Sequence, residues 1–127
     1  MASDLRPIFT RLRASLATHA DSLVVSRDAP THYCLEATPG PATMRAWRGE
    51  VRRARIPVAW VEIRKAYVSY HLMGVASEAG RISAGLRARM QGKTCFNFSK
   101  HEESLFAELE AVTARSLAAF RAAGFIW

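Results

Sequence analysis

Two β-prone runs, Val58 to Ile63 and Tyr67 to Met73, are parted only by Arg64-Lys65-Ala66. A link that short makes an antiparallel hairpin, because a parallel pair would need a crossover of about a dozen residues or more. Alternation gives each run an apolar face, Ala59, Val61 and Ile63 on the first and Val68, Tyr70 and Leu72 on the second. These two runs are expected to be central strands, around which the rest of the chain must pack.

Upstream, Leu5, Ile8, Phe9, Leu12 and Leu16 recur at helical spacing with Pro7 in the first turn, which predicts an amphipathic helix reaching about Ala20. Leu23-Val24-Val25 and His32 to Glu36 read as two further strands parted by Asp28-Ala29-Pro30. Downstream, Ser77 is placed to cap a helix carrying Ala79, Ile82, Leu86 and Met90, with Gly92 at its C-terminal end. Thr94, Phe96 and Phe98 then alternate with Cys95 and Asn97 as a strand. Ser99-Lys100-His101-Glu102 fits a capping box ahead of a last helix bearing Leu105, Phe106, Leu109, Val112, Leu117 and Phe120. Strands cluster and then yield to helices, with no regular βαβ alternation. The expected fold is α+β, a mainly antiparallel sheet of about five strands covered by an N-terminal helix and two helices in the C-terminal half. At 127 residues, half of them apolar, the chain has the size and balance of one domain, residues 1–127.

The net charge of +7 is not evenly spread. Residues 41–65 carry Arg45, Arg48, Arg52, Arg53, Arg55, Arg64 and Lys65 against Glu50 and Glu62 alone. Residues 42–55 read either as a basic amphipathic helix or as an irregular loop. As a helix, Met44, Trp47, Val51 and Ala54 share one arc and Arg45, Arg48, Arg52 and Arg55 the next, while Gly49 and the flanking Pro41 and Pro57 favour the loop. Clustered cations beside tryptophan suit phosphates and stacked rings, so the expected partner is an anionic small molecule or a nucleic acid. The bland alternative is that the arginines are solvated and the tryptophans packed.

Lys93 follows Gly92 but lacks a phosphate-loop pattern, so it joins the candidate binding surface only in combination with the arginines. His71 joins it as a sheet histidine able to act as ligand or base if its side lines a cleft, although such a histidine is more often structural. His32 and Cys34 project to one face of their strand without a third or fourth metal ligand in sight. Cys95 and His71 could neighbour one another across the sheet as a nucleophile pair, but no orienting acid is recognisable. No cofactor and no catalytic residue is expected, and a non-enzymatic binding or accessory role is preferred. Neither a signal peptide nor a membrane span is expected, and two cysteines without zinc or disulfide spacing suggest reduced thiols in a cytoplasm. The apolar end, Gly124-Phe125-Ile126-Trp127, is expected to pack, either on the sheet or across a homodimer.

Lys65-Ala66-Tyr67-Val68-Ser69-Tyr70-His71-Leu72-Met73 and Met90-Gln91-Gly92-Lys93-Thr94-Cys95-Phe96-Asn97-Phe98 resemble the YdhG-like superfamily of small bacterial domains of unknown function. The resemblance covers roughly residues 58–120 and implies an α+β domain. Some members are described as frataxin-like iron chaperones, which implies a carboxylate-rich surface. The only acidic concentration here is Glu102, Glu103, Glu108 and Glu110, so the metal-carrier role is carried as an alternative, beside a cryptic enzyme using His71 and Cys95.

Overall fold

The computed structural model describes residues 4–46 and 55–126. In chain order they form α1 (Arg6–Ala17), β1 (Val24–Ala29), β2 (His32–Ala37), α2 (Pro41–Ala46), β3 (Ile56–Ile63), β4 (Val68–Leu72), α3 (Ala84–Arg87), β5 (Met90–Gln91), β6 (Cys95–Phe98) and α4 (Glu103–Ala122). The fold is α+β. All six strands form one antiparallel sheet in the order β1-β2-β3-β4-β6-β5, with the expected hairpin β3–β4 at its centre.

The apolar stripe of α1 (Ile8, Phe9, Leu12, Leu16) and that of α4 (Phe106, Leu109, Val112, Leu117) pack on the same face of the sheet. They meet Tyr33, Leu35, Val61, Val68, Tyr70, Leu72, Phe96 and Phe98, all buried. Within this layer the Tyr70 hydroxyl bonds Thr113 Oγ1 at 2.5 Å, which in turn donates to the Leu109 carbonyl at 2.8 Å. A buried phenol therefore keeps its hydrogen bonding, as it must in an apolar core. Outside the core, Arg11 ties α1 to α4 through Glu103 at 3.0 Å and Glu110 at 3.7 Å.

The segment after β4 departs from expectation. In place of one helix capped by Ser77 there is a 3₁₀ stretch, Val75–Arg81, and then the single turn of α3. Gly80 and Gly85 weaken a continuous helix, and Ser83 takes the capping role, its Oγ accepting from Leu86 N–H at 3.2 Å. Met90 is a strand residue paired with Phe96, which makes β5 the sixth strand. Gly92 accordingly is no helix terminus: it turns the β5–β6 hairpin at φ +77, a conformation that disfavours a side chain. The capping box is also absent. Glu102 is the residue ahead of α4, without a side-chain cap, because its carboxylate is taken by Arg89 at 2.7 and 2.9 Å.

The C-terminal residues dock on their own chain. Gly124 and Phe125 carbonyls accept from Ala42 and Gly40 N–H at 2.8 Å each, and Thr43 Oγ1 donates to Phe125 O at 2.7 Å. Ile126 is buried and bridges Pro39, and Phe125 stacks on Phe120. No helix among the described residues is long and apolar enough to cross a membrane.

Candidate site on the uncovered face of the sheet

Side chains of alternate parity point away from the helices, and the register lines them up. One cross-strand row runs Arg27, Cys34, Trp60, His71, Cys95, Gln91 from β1 to β5. A second runs His32, Glu62, Ser69, Asn97. Uncovered sheet faces usually carry long solvated side chains; this one carries two cysteines, two histidines and a tryptophan.

At the centre the Trp60 indole and His71 imidazole stack, 4.5 Å between centroids at an interplanar angle of 11°. The far side of His71 meets Cys95, Sγ to Nε2 3.6 Å, and Cys95 donates to Asn97 Oδ1 at 3.3 Å. Burial pushes the His71 imidazole below its ordinary range, outweighing the opposing pull of Glu62. The same cause pushes the Cys95 thiol up. Both shifts favour the neutral forms, so the pair is an imidazole beside a thiol and lacks the thiolate that attacks carbonyl carbon.

Trp60 also separates two shallow depressions. That on the β4–β6 side, about 300 Å³, is bordered by Glu62, Arg64, Tyr67, Ser69, His71 and Asn97. That on the β1–β2 side, about 340 Å³, has Cys34 at its floor, Trp60 and Pro57 as apolar walls, and Ser26, Arg27, His32 and Glu36 around it. The carboxylates of the face are engaged: Glu62 with Arg64 at 2.6 Å and His32 at 3.5 Å, Glu36 with Arg55 at 3.8 Å. Arg27 is exposed and has no ion-pair partner among the described residues.

No protein-family model, curated protein or solved structure matches this chain.

The expected site residues fall in two places. His71 sits mid-face. Arg45 lies in the last turn of α2, Arg55 precedes β3 and Lys93 lies in the β5–β6 turn, so the three exposed cations flank one end of the sheet. Trp47, Arg48 and Arg52 lie outside the described residues. Of the alternatives, the Cys95–His71 neighbourhood forms, whereas the four glutamates of the metal-carrier reading are spent elsewhere. Glu102 binds Arg89, Glu103 and Glu110 bind Arg11, and Glu108 accepts from Ser83 N–H and Oγ at 2.8 and 2.6 Å. His32 and Cys34 do share a face, but no group of three or more His, Cys, Asp or Glu able to hold a metal occurs among the described residues. Arg27, Ser26 and Asn97 were invisible as site residues, because only register brings β1 and β6 beside Trp60 and His71. The parity of Trp60 and Glu62 against Ala59 and Val61 was the available signal.

Proposed function

We propose that the chain is a binding protein without a catalytic step, and that its ligand is a small anion with a flat ring, seated over β1–β3 against Trp60. The observation that carries this reading is the β1–β2-side depression. One side of Trp60 is filled by His71, the other borders a hollow, and Arg27 stands at that hollow as a cation that no carboxylate among the described residues pairs. An aromatic wall with one guanidinium supplies stacking and a charge-assisted contact, which a flat carboxylate or phosphate ester would use. A polyanion fits less well: Glu36 and Glu62 lie on the same face, and like charge against phosphates is unfavourable. The exposed Arg45, Arg55 and Lys93 add a long-range attraction that raises the rate of anion encounter.

The YdhG-like resemblance is consistent with this placement, since its two stretches become β4 and the β5–β6 hairpin, adjacent strands that carry His71 and Cys95. Assignment to that superfamily is part of the proposal. The cryptic-enzyme reading has one observation in its favour, the 3.6 Å approach of Cys95 to His71, and one against it, the burial that holds both neutral.

The test is a titration with 1-naphthoate, a flat anionic probe, followed by the indole N–H resonances. Trp60, identified by its absence in Trp60→Leu, is expected to shift, with Arg27→Gln weakening binding about tenfold and added salt weakening it further. A Trp60 resonance that stays unmoved while another site saturates would contradict the placement.

A further inference from the structure

The hollow beside Trp60 offers an anion a partner at one end and an obstacle at the other. In the register Arg27 lies level with Cys34 and Trp60, whereas Glu36, two residues along β2, lies level with Pro57. Both charged side chains line the same hollow of about 340 Å³. A carboxylate in the lining of an anion site repels the ligand unless the ligand brings a cation to it. Glu36 has acceptors to spare for one. Its side chain is 16% exposed and accepts no hydrogen bond among the described residues, and its ion pair with the half-exposed Arg55 stands at 3.8 Å, beyond hydrogen-bond reach. An ionised carboxylate so largely withdrawn from water gains most from charged donors. The apolar walls, Pro57 and Trp60, are both partly exposed, so a ring from solution can lie against them.

We infer that the molecule held against Trp60 is an aromatic α-amino acid. This rests on the placement of a flat-ring anion at Trp60 and names the ligand's second charged group. The carboxylate is the anionic group of that reading and meets Arg27; the ring lies against Trp60 and Pro57; the α-ammonium meets Glu36. Two strand positions span about 7 Å, which an ammonium and a carboxylate on one carbon bridge once a hydrogen bond is added at each end. The ammonium brings three donors to a carboxylate that is acceptor-only. The volume, at the small end of small-molecule sites, suits a molecule with one such side chain. An aryl acid without the amine leaves Glu36 facing an uncompensated negative charge, and an arylalkylamine leaves Arg27 without its carboxylate. Each should bind less well than the amino acid.

Titration of the full chain at neutral pH with L-phenylalanine, 3-phenylpropanoate and phenethylamine, followed at the Trp60 indole N–H resonance, tests the inference. L-Phenylalanine is expected to bind at least about fivefold tighter than either analogue. Glu36→Gln should weaken L-phenylalanine to the level of 3-phenylpropanoate while leaving 3-phenylpropanoate no weaker, and Arg27→Gln should weaken both acids. The inference is overturned if 3-phenylpropanoate binds the wild type as tightly as L-phenylalanine, if phenethylamine does so, or if folded Glu36→Gln keeps the wild-type preference for the amino acid. Should Glu36→Gln fail to fold, the wild-type comparison of L-phenylalanine with 3-phenylpropanoate decides alone. L-Phenylalanine leaving Trp60 unmoved while 1-naphthoate shifts it overturns the amino acid and keeps the flat-ring anion; both probes leaving Trp60 unmoved overturns the two together.

Discussion

The Trp60 indole covers one face of the His71 imidazole at 4.5 Å and thereby removes water from a titratable ring in the middle of an otherwise open sheet face. An imidazole so desolvated takes up its proton only below the usual 6.5. Its unfolded form binds protons first, so stability is fully present above that value and is lost as pH falls toward the folded pKa. His71 is expected to titrate below 6.5 by proton NMR, and Trp60→Leu should return it upward by rehydrating the ring. His19 is shifted downward by burial too, so the stability profile of His71→Gln should be flatter than the wild type between neutral and mildly acid pH without becoming level. A His71 value at or above 6.5 would contradict the stacking account.

Cys95 decides between a binding surface and a cysteine enzyme. Its thiol is pushed up by burial, and neutral His71 gives no imidazolium to stabilise a thiolate. Alkylation of native protein by iodoacetamide at neutral pH is expected to be slower at Cys95 than in a free thiol, and His71→Ala should not slow it further. Fast, His71-dependent alkylation of Cys95 would favour the enzyme.

The central hairpin, α1 and α4 were legible because each repeats its apolar period over several turns or strand positions. The failures lie where one residue had two roles open to it. Met90 satisfies a helical spacing from Leu86 but is held in β5 by Phe96, and Gly92 punctuates a hairpin as readily as a helix. Glu102 matched a capping box by spacing, and a guanidinium from α3's far side, Arg89, competed for it successfully. Of the site, His71 was visible by type and parity. The row it belongs to was not, since pairing of β1 with β2 and of β4 with β6 joins residues distant in sequence.

Glu78 provides a second stability test. Only 4% exposed, it is bonded by Arg115 of α4 and approached by Arg81 at 3.9 Å, which fastens the 3₁₀ stretch to the helix. Arg115→Ala leaves this carboxylate short of its main donor and should cost about 1–3 kcal/mol, less than for a fully enclosed pair because Arg115 itself is 43% exposed. Urea unfolding would measure it, and a change within about 0.5 kcal/mol, the range of ordinary surface substitutions, would count against the clamp.

The docked C-terminus predicts a sharp effect at a distant glycine. A Cβ at Gly40 would lie 2.3 Å from the Gly124 carbonyl oxygen, so Gly40→Ala must push the tail away and break its bonds to Gly40 and Thr43. Both Gly40→Ala and truncation after Gly124 should lower the melting temperature by several degrees, roughly the effect of 1 kcal/mol or more in a chain of this size. Because the tail packs on its own chain, the mass by light scattering should stay that of the untruncated protein. An unchanged melting temperature in both variants would mean the docking contributes nothing.

The central claim is that a small anionic ligand sits on the sheet against Trp60. Native mass spectrometry of the wild-type chain and Trp60→Leu, each purified under the same low-salt conditions from the protein's own host, tests it most directly. Trp60→Leu should fold, since the indole is only half-buried and its ring pairing is worth about 0.5–1.5 kcal/mol beyond the area it covers. The account predicts a small anionic molecule retained by the wild type and lost from folded Trp60→Leu. A wild-type spectrum with no added mass, or the same added mass in both proteins, would contradict it.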